Sequence, residues 1–189
     1  TYGDKKEKLN LKLFGQHNQI NGQAAIAAAR EVGIDQTKAK KILKKFQGIK
    51  RRSEYLGQRQ GVKVYDDYAH HPTEIRTTLK AFQEEFPGRR LFLIFQPHQG
   101  LRLTALFDQF VKSLEKTDQL IIVKVYEPPG RDKKAGKDSK DLAQALQVGY
   151  ARDYNQALAQ AEQEVKRGEI LITMGAGPVN QVAEGYLKG

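Results

Sequence analysis

Cysteine is absent from all 189 residues. That excludes disulfide bonds and thiolate zinc sites, and it fits a reducing compartment such as the cytoplasm. Long apolar runs are absent too. The longest, such as Leu91–Phe95, are strand-sized and far too short to span a bilayer. Residues 1–8 are polar and charged, unlike the apolar core of a signal peptide, so no membrane association is expected. There is no internal repeat and no low-complexity tract, which excludes a solenoid. Hydrophobic residues nevertheless make up 39% of the chain, too many for a disordered one. Its length suffices for one domain with a real core, or for one domain plus part of another.

Acidic residues are in deficit, 22 against 32 Lys and Arg, which leaves a net charge of +10. A basic protein attracts polyanions, whether nucleic acid or small substrates with several phosphates; the plain alternative is a soluble basic surface. The basic residues are scattered apart from the 38–45 run and Arg51–Arg52, and the aromatics do not interleave with them. No nucleic-acid partner is therefore expected.

From about Arg51 onward, short apolar runs alternate with amphipathic stretches. Strands are predicted over 61–66, 90–95, 119–125 and 169–174. Helices are predicted over 73–86, where Thr73 can serve as cap, then around 103–114, and over 137–146, 154–166 and 178–187. The unbroken run at 90–95 suits a sheet buried on both faces. This alternation predicts an α/β, Rossmann-like domain with a mostly parallel sheet. Residues 1–48 differ, with two predicted helices (21–32 and 37–46) and little strand signal. They read as the helical tail of a preceding domain, since two helices cannot bury a core alone. Residues 127–139, rich in Pro, Gly and Lys, read as a mobile surface loop.

In open α/β sheets, ligands bind at the carboxyl ends of strands. Three predicted strand ends carry unusual residues: Tyr65-Asp66-Asp67-Tyr68-Ala69-His70-His71-Pro72, then Gln96-Pro97-His98-Gln99-Gly100-Leu101-Arg102, then Met174-Gly175-Ala176-Gly177-Pro178. Three of the four histidines fall in the first two. Asp67, His70, His71 and His98 are either site residues or caps for the following helices. A divalent-metal site built from the same four is disfavoured, because adjacent His70 and His71 in an extended segment point apart. Gly175-Ala176-Gly177 is either an anion-binding turn or a close strand–helix contact. Upstream, Asn18 and Asn21 sit three residues apart after His17. They share a face on a helix, where amides could read a purine edge; ordinary capping by Asn18 is the plain alternative.

Taken together, Gly15-Gln16-His17-Asn18 with Asn21, Phe46-x-Gly48-x-x-Arg51-Arg52, Asp66-Asp67-Tyr68-Ala69-His70-His71-Pro72-Thr73-Glu74, Phe95-Gln96-Pro97-His98 and Met174-Gly175-Ala176-Gly177 resemble the Mur ligase family, from about Lys12 to the end. Among its branches the strings look most like those of the ligases that join L-alanine to UDP-N-acetylmuramate. The resemblance implies the end of a central ATP-binding domain at residues 1–48 and a Rossmann-like C-terminal domain at 49–189. It also implies a cytoplasmic enzyme of peptidoglycan synthesis that binds ATP and Mg²⁺, phosphorylates the muramate carboxylate and lets the amine of L-alanine attack the acyl phosphate. By position, His17, Asn18 and Asn21 would read adenine. Arg52 would face the γ-phosphate, and Asp67 would lie near the nucleotide ribose or phosphates. Tyr68, His70, His71, His98 and Arg102 would surround the incoming amino acid, with Arg52 and His71 acting in catalysis and Arg102 pairing with the alanine carboxylate.

Two departures stand out. Where the family usually carries Arg-Tyr-Ser-Arg-Thr after Pro-His, this chain has Gln99-Gly100-Leu101-Arg102-Leu103, so one expected Arg is missing. No Gly-x-x-x-x-Gly-Lys-Thr phosphate loop or acidic magnesium site occurs. These are expected upstream, in other domains of the same polypeptide, so the chain alone is expected to be inactive. The alternatives are a binding module without catalysis, or a sibling ligase with another amino-acid or peptide substrate.

Overall fold

The computed structural model describes residues 8–130 and 136–189. The chain divides into two units between Ile49 and Lys50. Among the described residues, no helix is long and apolar enough to cross a membrane.

In the first unit, α1 (Gln16–Glu31) follows Gly15, which takes a φ of +90° and makes no side-chain cap. Asp35 caps α2 (Gln36–Leu43) by accepting the Lys38 N–H at 3.0 Å. Leu9, Ile26 and Ala39 form a small core with Leu11, Ala29 and Leu43 packed against it. Gly22 is buried in α1, and a Cβ there would lie 2.8 Å from Leu9 Cδ1. Close packing therefore explains a glycine that helix propensity alone disfavours. The plain reading of Asn18 as a helix cap is overturned. It sits inside the first turn of α1, and its Nδ2 donates to the Phe14 carbonyl at 2.8 Å.

The second unit is built on β1 (Glu54–Arg59), β2 (Val62–Asp67), α3 (Pro72–Glu85), β3 (Leu91–Phe95), α4 (Gly100–Ala105), α5 (Phe107–Leu114), β4 (Gln119–Val123), α6 (Ser139–Leu146), β5 (Gly149–Ala151), α7 (Tyr154–Glu164), β6 (Ile170–Met174) and α8 (Asn180–Lys188). The six strands lie in the order β1-β2-β6-β3-β4-β5. Every pairing from β2 onward is parallel, and only β1 runs antiparallel, to β2. The predicted α/β class with a mostly parallel sheet is thus observed. Strands β3 and β6 are buried along their whole length, as the unbroken apolar run of β3 and the nearly apolar Ile170–Met174 require, with the one polar side chain of β6, Thr173, bonded to Asp66.

Helices cover both faces. Val64, Ile94, Val123 and Leu171 pack beneath α7 and α8 with Ala157, Ala161, Val182 and Tyr186. On the opposite face, Tyr65 meets Phe82 of α3 edge-on at 5.1 Å, and Phe95 meets Phe110 of α5 at 6.0 Å. Because β6 inserts between β2 and β3, the segment leaving its carboxyl end runs to α8 on one face, while those leaving β2 and β3 run to α3 and α5 on the other, so neighbouring strand ends diverge there.

The elements differ from expectation in four places. The edge strands β1 and β5 were not foreseen. The expected helix at 103–114 is two, broken at Leu106, whose φ and ψ are −117° and 21°. His71, not Thr73, caps α3; its ring accepts the Thr73 N–H while Glu74 reaches back to the cap backbone, and Pro72 takes the first helical position. The expected mobile loop at 127–139 lies partly outside the described residues; of the remainder, Glu127 is tied to Gly100 and Ser139 begins α6.

Candidate functional site

The carboxyl ends of β2, β6 and β3 bring four of the expected site residues into one line of contacts. The Arg52 guanidinium lies over the Tyr68 ring, 5.4 Å from its centroid. The Tyr68 ring meets His70 edge-on at 5.4 Å, and His70 meets His98 at 5.6 Å. His98 stacks on Tyr126 at 5.7 Å, and an isolated bridge pairs their backbones. Arg52 is exposed, while Tyr68, His70 and His98 are half-buried. The result is a ridge of rings with a cation at one end, open to solvent.

Arg51 holds the base of this ridge. Its Nε donates to the buried Asp66 carboxylate at 2.8 Å, and its Nη2 donates to the carbonyls of Gly175 and Gly177 at 2.7 and 2.9 Å. Its own carbonyl accepts the Tyr68 N–H at 2.6 Å. One side chain thus joins the entry to β1, the end of β2 and the turn after β6. Burial pushes the Asp66 carboxyl above its ordinary range, while the Thr173 hydroxyl and Arg51 pull the other way. Asp66 Oδ1 accepts from Thr173 Oγ1 at 2.7 Å.

Asp67 is 3% exposed, and burial raises its pKa against the opposing hydrogen bonds of Ala69 and Ser53. Its Oδ2 accepts from the Ser53 N–H at 2.7 Å and its Oδ1 from the Ala69 N–H at 2.8 Å. This carboxylate therefore faces its own loop and fixes the backbone on either side of Tyr68.

The two adjacent histidines point to different partners. His70 Nδ1 lies 2.9 Å from the Tyr68 carbonyl, which can only accept, so this nitrogen carries the proton. His71 Nδ1 accepts from the Thr73 N–H at 3.3 Å, so it is unprotonated. In their neutral forms His70 then presents an acceptor at Nε2 and His71 a donor. Glu74 accepts the N–H groups of both, at 3.0 and 3.2 Å. Among the described residues, no group of three or more His, Asp and Glu could hold a metal ion.

Arg102 lies in α4, and its Nη1 is buried without a hydrogen-bond partner among the described residues. Gln99, where the family usually has Arg, takes a φ of +67° at the start of α4 and donates its N–H to the Tyr126 carbonyl at 2.9 Å. In the first unit, His17, Asn18 and Asn21 share the first two turns of α1, with Asn21 exposed. One of the two Asn18 amide donors is engaged by Phe14, so its carbonyl and its second N–H are the groups left to meet a base edge.

The Gly175-Ala176-Gly177 turn is a close contact. Gly175 has a φ of +147°, and a Cβ there would lie 2.5 Å from the Gln96 carbonyl; a Cβ on Gly177 would collide with Gln96 Oε1. Its carbonyls, not its N–H groups, face Arg51. Arg51 entered the sequence reading only as the neighbour of Arg52, and Tyr126 did not enter it. Tyr126 follows a strand end, so the strand-end rule could have found it. The Arg51–Asp66 pair spans 15 residues and had no local signal.

Comparison with known proteins gives this arrangement a family. A family model described as Mur ligase, glutamate ligase domain, matches residues 51–177. The UDP-N-acetylmuramate–L-alanine ligase of Desulfatibacillum aliphaticivorans is 39% identical over 95% of this chain and 41% of its own length. That of Caldanaerobacter subterraneus subsp. tengcongensis is 37% identical over 94% and 39%. Among solved structures, the UDP-N-acetylmuramate-alanine ligase of Thermotoga maritima superposes with a TM-score of 0.75 and 26% identity, covering 94% of this chain and 38% of that one. A murein peptide ligase of Psychrobacter arcticus gives 0.69 and 26%, covering 100% and 40%. The chain thus spans about two fifths of the length of the relatives it matches. With the family's strand-end residues gathered on its sheet, it belongs to the Mur ligase family, and residues 51–177 are that family's C-terminal domain.

Proposed function

We propose that this chain is part of an ATP-dependent ligase that joins L-alanine to UDP-N-acetylmuramate in peptidoglycan precursor synthesis. Residues 1–48 are the end of its ATP-binding domain and residues 49–189 its C-terminal domain. The observation that carries this reading is the contact line from Arg52 through Tyr68 and His70 to His98, in a chain 39% identical to an L-alanine ligase over 95% of its length.

The residues fit a nucleotide in part. The exposed Arg52 guanidinium suits phosphate oxygens; it is held on Tyr68 and, among the described residues, forms no close ion pair with a carboxylate. His17 lies beside Asn18 and Asn21, whose amides suit an adenine edge. ATP, with Mg²⁺ held mainly by upstream domains, would supply the phosphoryl group that activates the muramate carboxylate. Asp67 acts here by shaping the Tyr68 loop, leaving little of its carboxylate for a ribose or phosphate.

Tyr68, His70, His71 and His98 bound the place where the amine of the amino acid would arrive. His70 Nε2 can accept its proton, and His71 Nε2–H can donate to a developing oxyanion. The unpartnered Nη1 of Arg102 would meet the amino acid's carboxylate, without the second Arg usual in the family. A polypeptide that completes this chain should release ADP only with ATP, UDP-N-acetylmuramate and L-alanine together. The 189-residue chain alone should release none, and measurable release from it would refute the assignment of phosphate binding to upstream segments.

A second reading is a sibling ligase that attaches a peptide. It is favoured by Gln99 in place of Arg and by the likeness to the Psychrobacter arcticus murein peptide ligase. Competition between L-alanine, glycine, L-serine and a muropeptide decides it: preference for the peptide removes the L-alanine assignment.

A further inference from the structure

Across β3 from the ridge, the carboxyl ends of β4 and β5 open into a second depression, a cavity of about 730 Å³. Lys124, Lys140, Arg152, Tyr150 and Ser139 line it, together with Asp138 and Asp153. None of these belongs to the contact line described above.

The cavity's charges are unequal in availability. Asp138 Oδ1 accepts the N–H groups of Lys140 and Asp141 at 2.7 and 3.1 Å, and Asp153 Oδ1 accepts that of Gln156 at 2.8 Å. Both carboxylates therefore cap helices, α6 and α7, whose positive ends converge here. The cations are less engaged. Among the described residues, neither Lys124 nor Lys140 forms an ion pair, and the Lys140 ammonium lies 5.8 Å from the Tyr150 ring centroid. Arg152 Nε lies 3.4 Å from Asp153 Oδ2, an exposed pair that contributes little. Ser139 is 2% exposed, and its hydroxyl has no hydrogen-bond partner among the described residues although the residue lines the cavity. A buried hydroxyl without a partner is a group awaiting one.

We propose that this depression binds a phosphate-type anion of two or more charges, a diphosphate or a phosphomonoester, at a site separate from that of the proposed ligase reaction. Three cations, a hydroxyl donor and two helix starts match a group with several acceptor oxygens and more than one charge. A lone carboxylate would leave most of these donors without a partner. The half-buried Tyr150 ring gives the cavity one flat wall, against which the organic part of a phosphoester could lie.

The test is calorimetric titration of the 189-residue chain with pyrophosphate and with phenyl phosphate, at fixed ionic strength against chloride. Saturable binding is expected for one or both. The Lys140→Ala/Arg152→Ala double variant should weaken it about a hundred-fold, the loss of two charge-assisted contacts at about ten-fold each. Lys124→Gln, at an exposed position, gives an independent check should the double variant fold poorly. Tighter binding of phenyl phosphate identifies a phosphoester as the natural source, and tighter pyrophosphate a free diphosphate. Arg52→Ala should leave binding unchanged. Binding abolished by Arg52→Ala but kept by the other variants would place the anion at the ligase site and overturn this proposal. No saturable binding, or binding indifferent to Lys124, Lys140 and Arg152, overturns it equally, without touching the ligase reading.

Discussion

Arg51 and Arg52 are chemically identical neighbours with opposite commitments. Arg51 is wrapped in acceptors: a buried carboxylate and two carbonyls. Arg52 rests on a ring and faces solvent. Removing Arg51 leaves Asp66, 1% exposed, without its cation, and unpairing a buried charge is expensive. Because the Arg51 side chain is itself 24% exposed, water offsets part of that cost. Arg51→Ala should therefore destabilise the chain by about 2–4 kcal/mol at neutral pH, and Arg52→Ala by less than about 1 kcal/mol. The difference should narrow in acid. The native Asp66 pKa is already raised by burial and rises further without Arg51. A carboxyl with a raised native pKa gives stability that is present below its unfolded value, near 3.8, and lost as pH rises through the native value. Urea midpoints at pH 7 and pH 4 for both variants check this. Equal losses for the two arginines, or a gap that widens in acid, would show that Asp66 does not depend on Arg51.

At the scale of elements, the start of α3 joins fold and site, because His71 and Glu74 cap the helix that also aims His70. Burial opposes the Glu74 charge, but the hydrogen bonds from the His70 and His71 backbones and the neighbouring His70 and Arg52 hold its carboxyl below 4.5. For a depressed pKa the sign is opposite to that of Asp66: the stability is present above about 4.5 and lost as pH falls through the native value. Glu74→Gln keeps a capping amide and removes the charge. With the side chain 38% exposed, it should cost only about 0.5 kcal/mol at pH 7, and less as pH falls below the ordinary carboxylate range. A cost that does not shrink as pH falls, read from urea midpoints, would mean the charge is not what Glu74 contributes.

The strands that had the strongest sequence signal, β3 and β6, are those buried on both faces. The two that escaped notice are both edges. β1 carries a register shift between Tyr55 and Gly57, and its burial alternates weakly. β5 has only three residues, Gly149, Tyr150 and Ala151. Edge strands need neither length nor an apolar pattern, because one side of their ladder faces solvent. The site divides the same way. Tyr68, His70 and His98 were legible because they sit in strand-end strings. Tyr126 also follows a strand end and was within reach of the same rule, whereas the Arg51 clamp was not, because folding alone brings its partners close.

Across the whole molecule the two units rest on unequal cores. The second buries both faces of a six-stranded sheet under helices. The first buries Leu9, Ile26 and Ala39 and leaves Val32 75%, Ile42 58%, Phe46 43% and Ile49 67% exposed. A helix pair that hides so little apolar surface gains little to offset the conformational entropy of ordering it. Local opening of α1 and α2 should therefore precede unfolding of the sheet. Hydrogen exchange should find the amides of α1 and α2 far less protected than those of β3 and β6. A chain reduced to residues 50–189 should unfold at the same urea midpoint as the full chain. A single transition that carries both units, together with a lower midpoint for residues 50–189, would mean that the first unit supports the second. The exposed apolar residues would then have to be counted as part of a shared core.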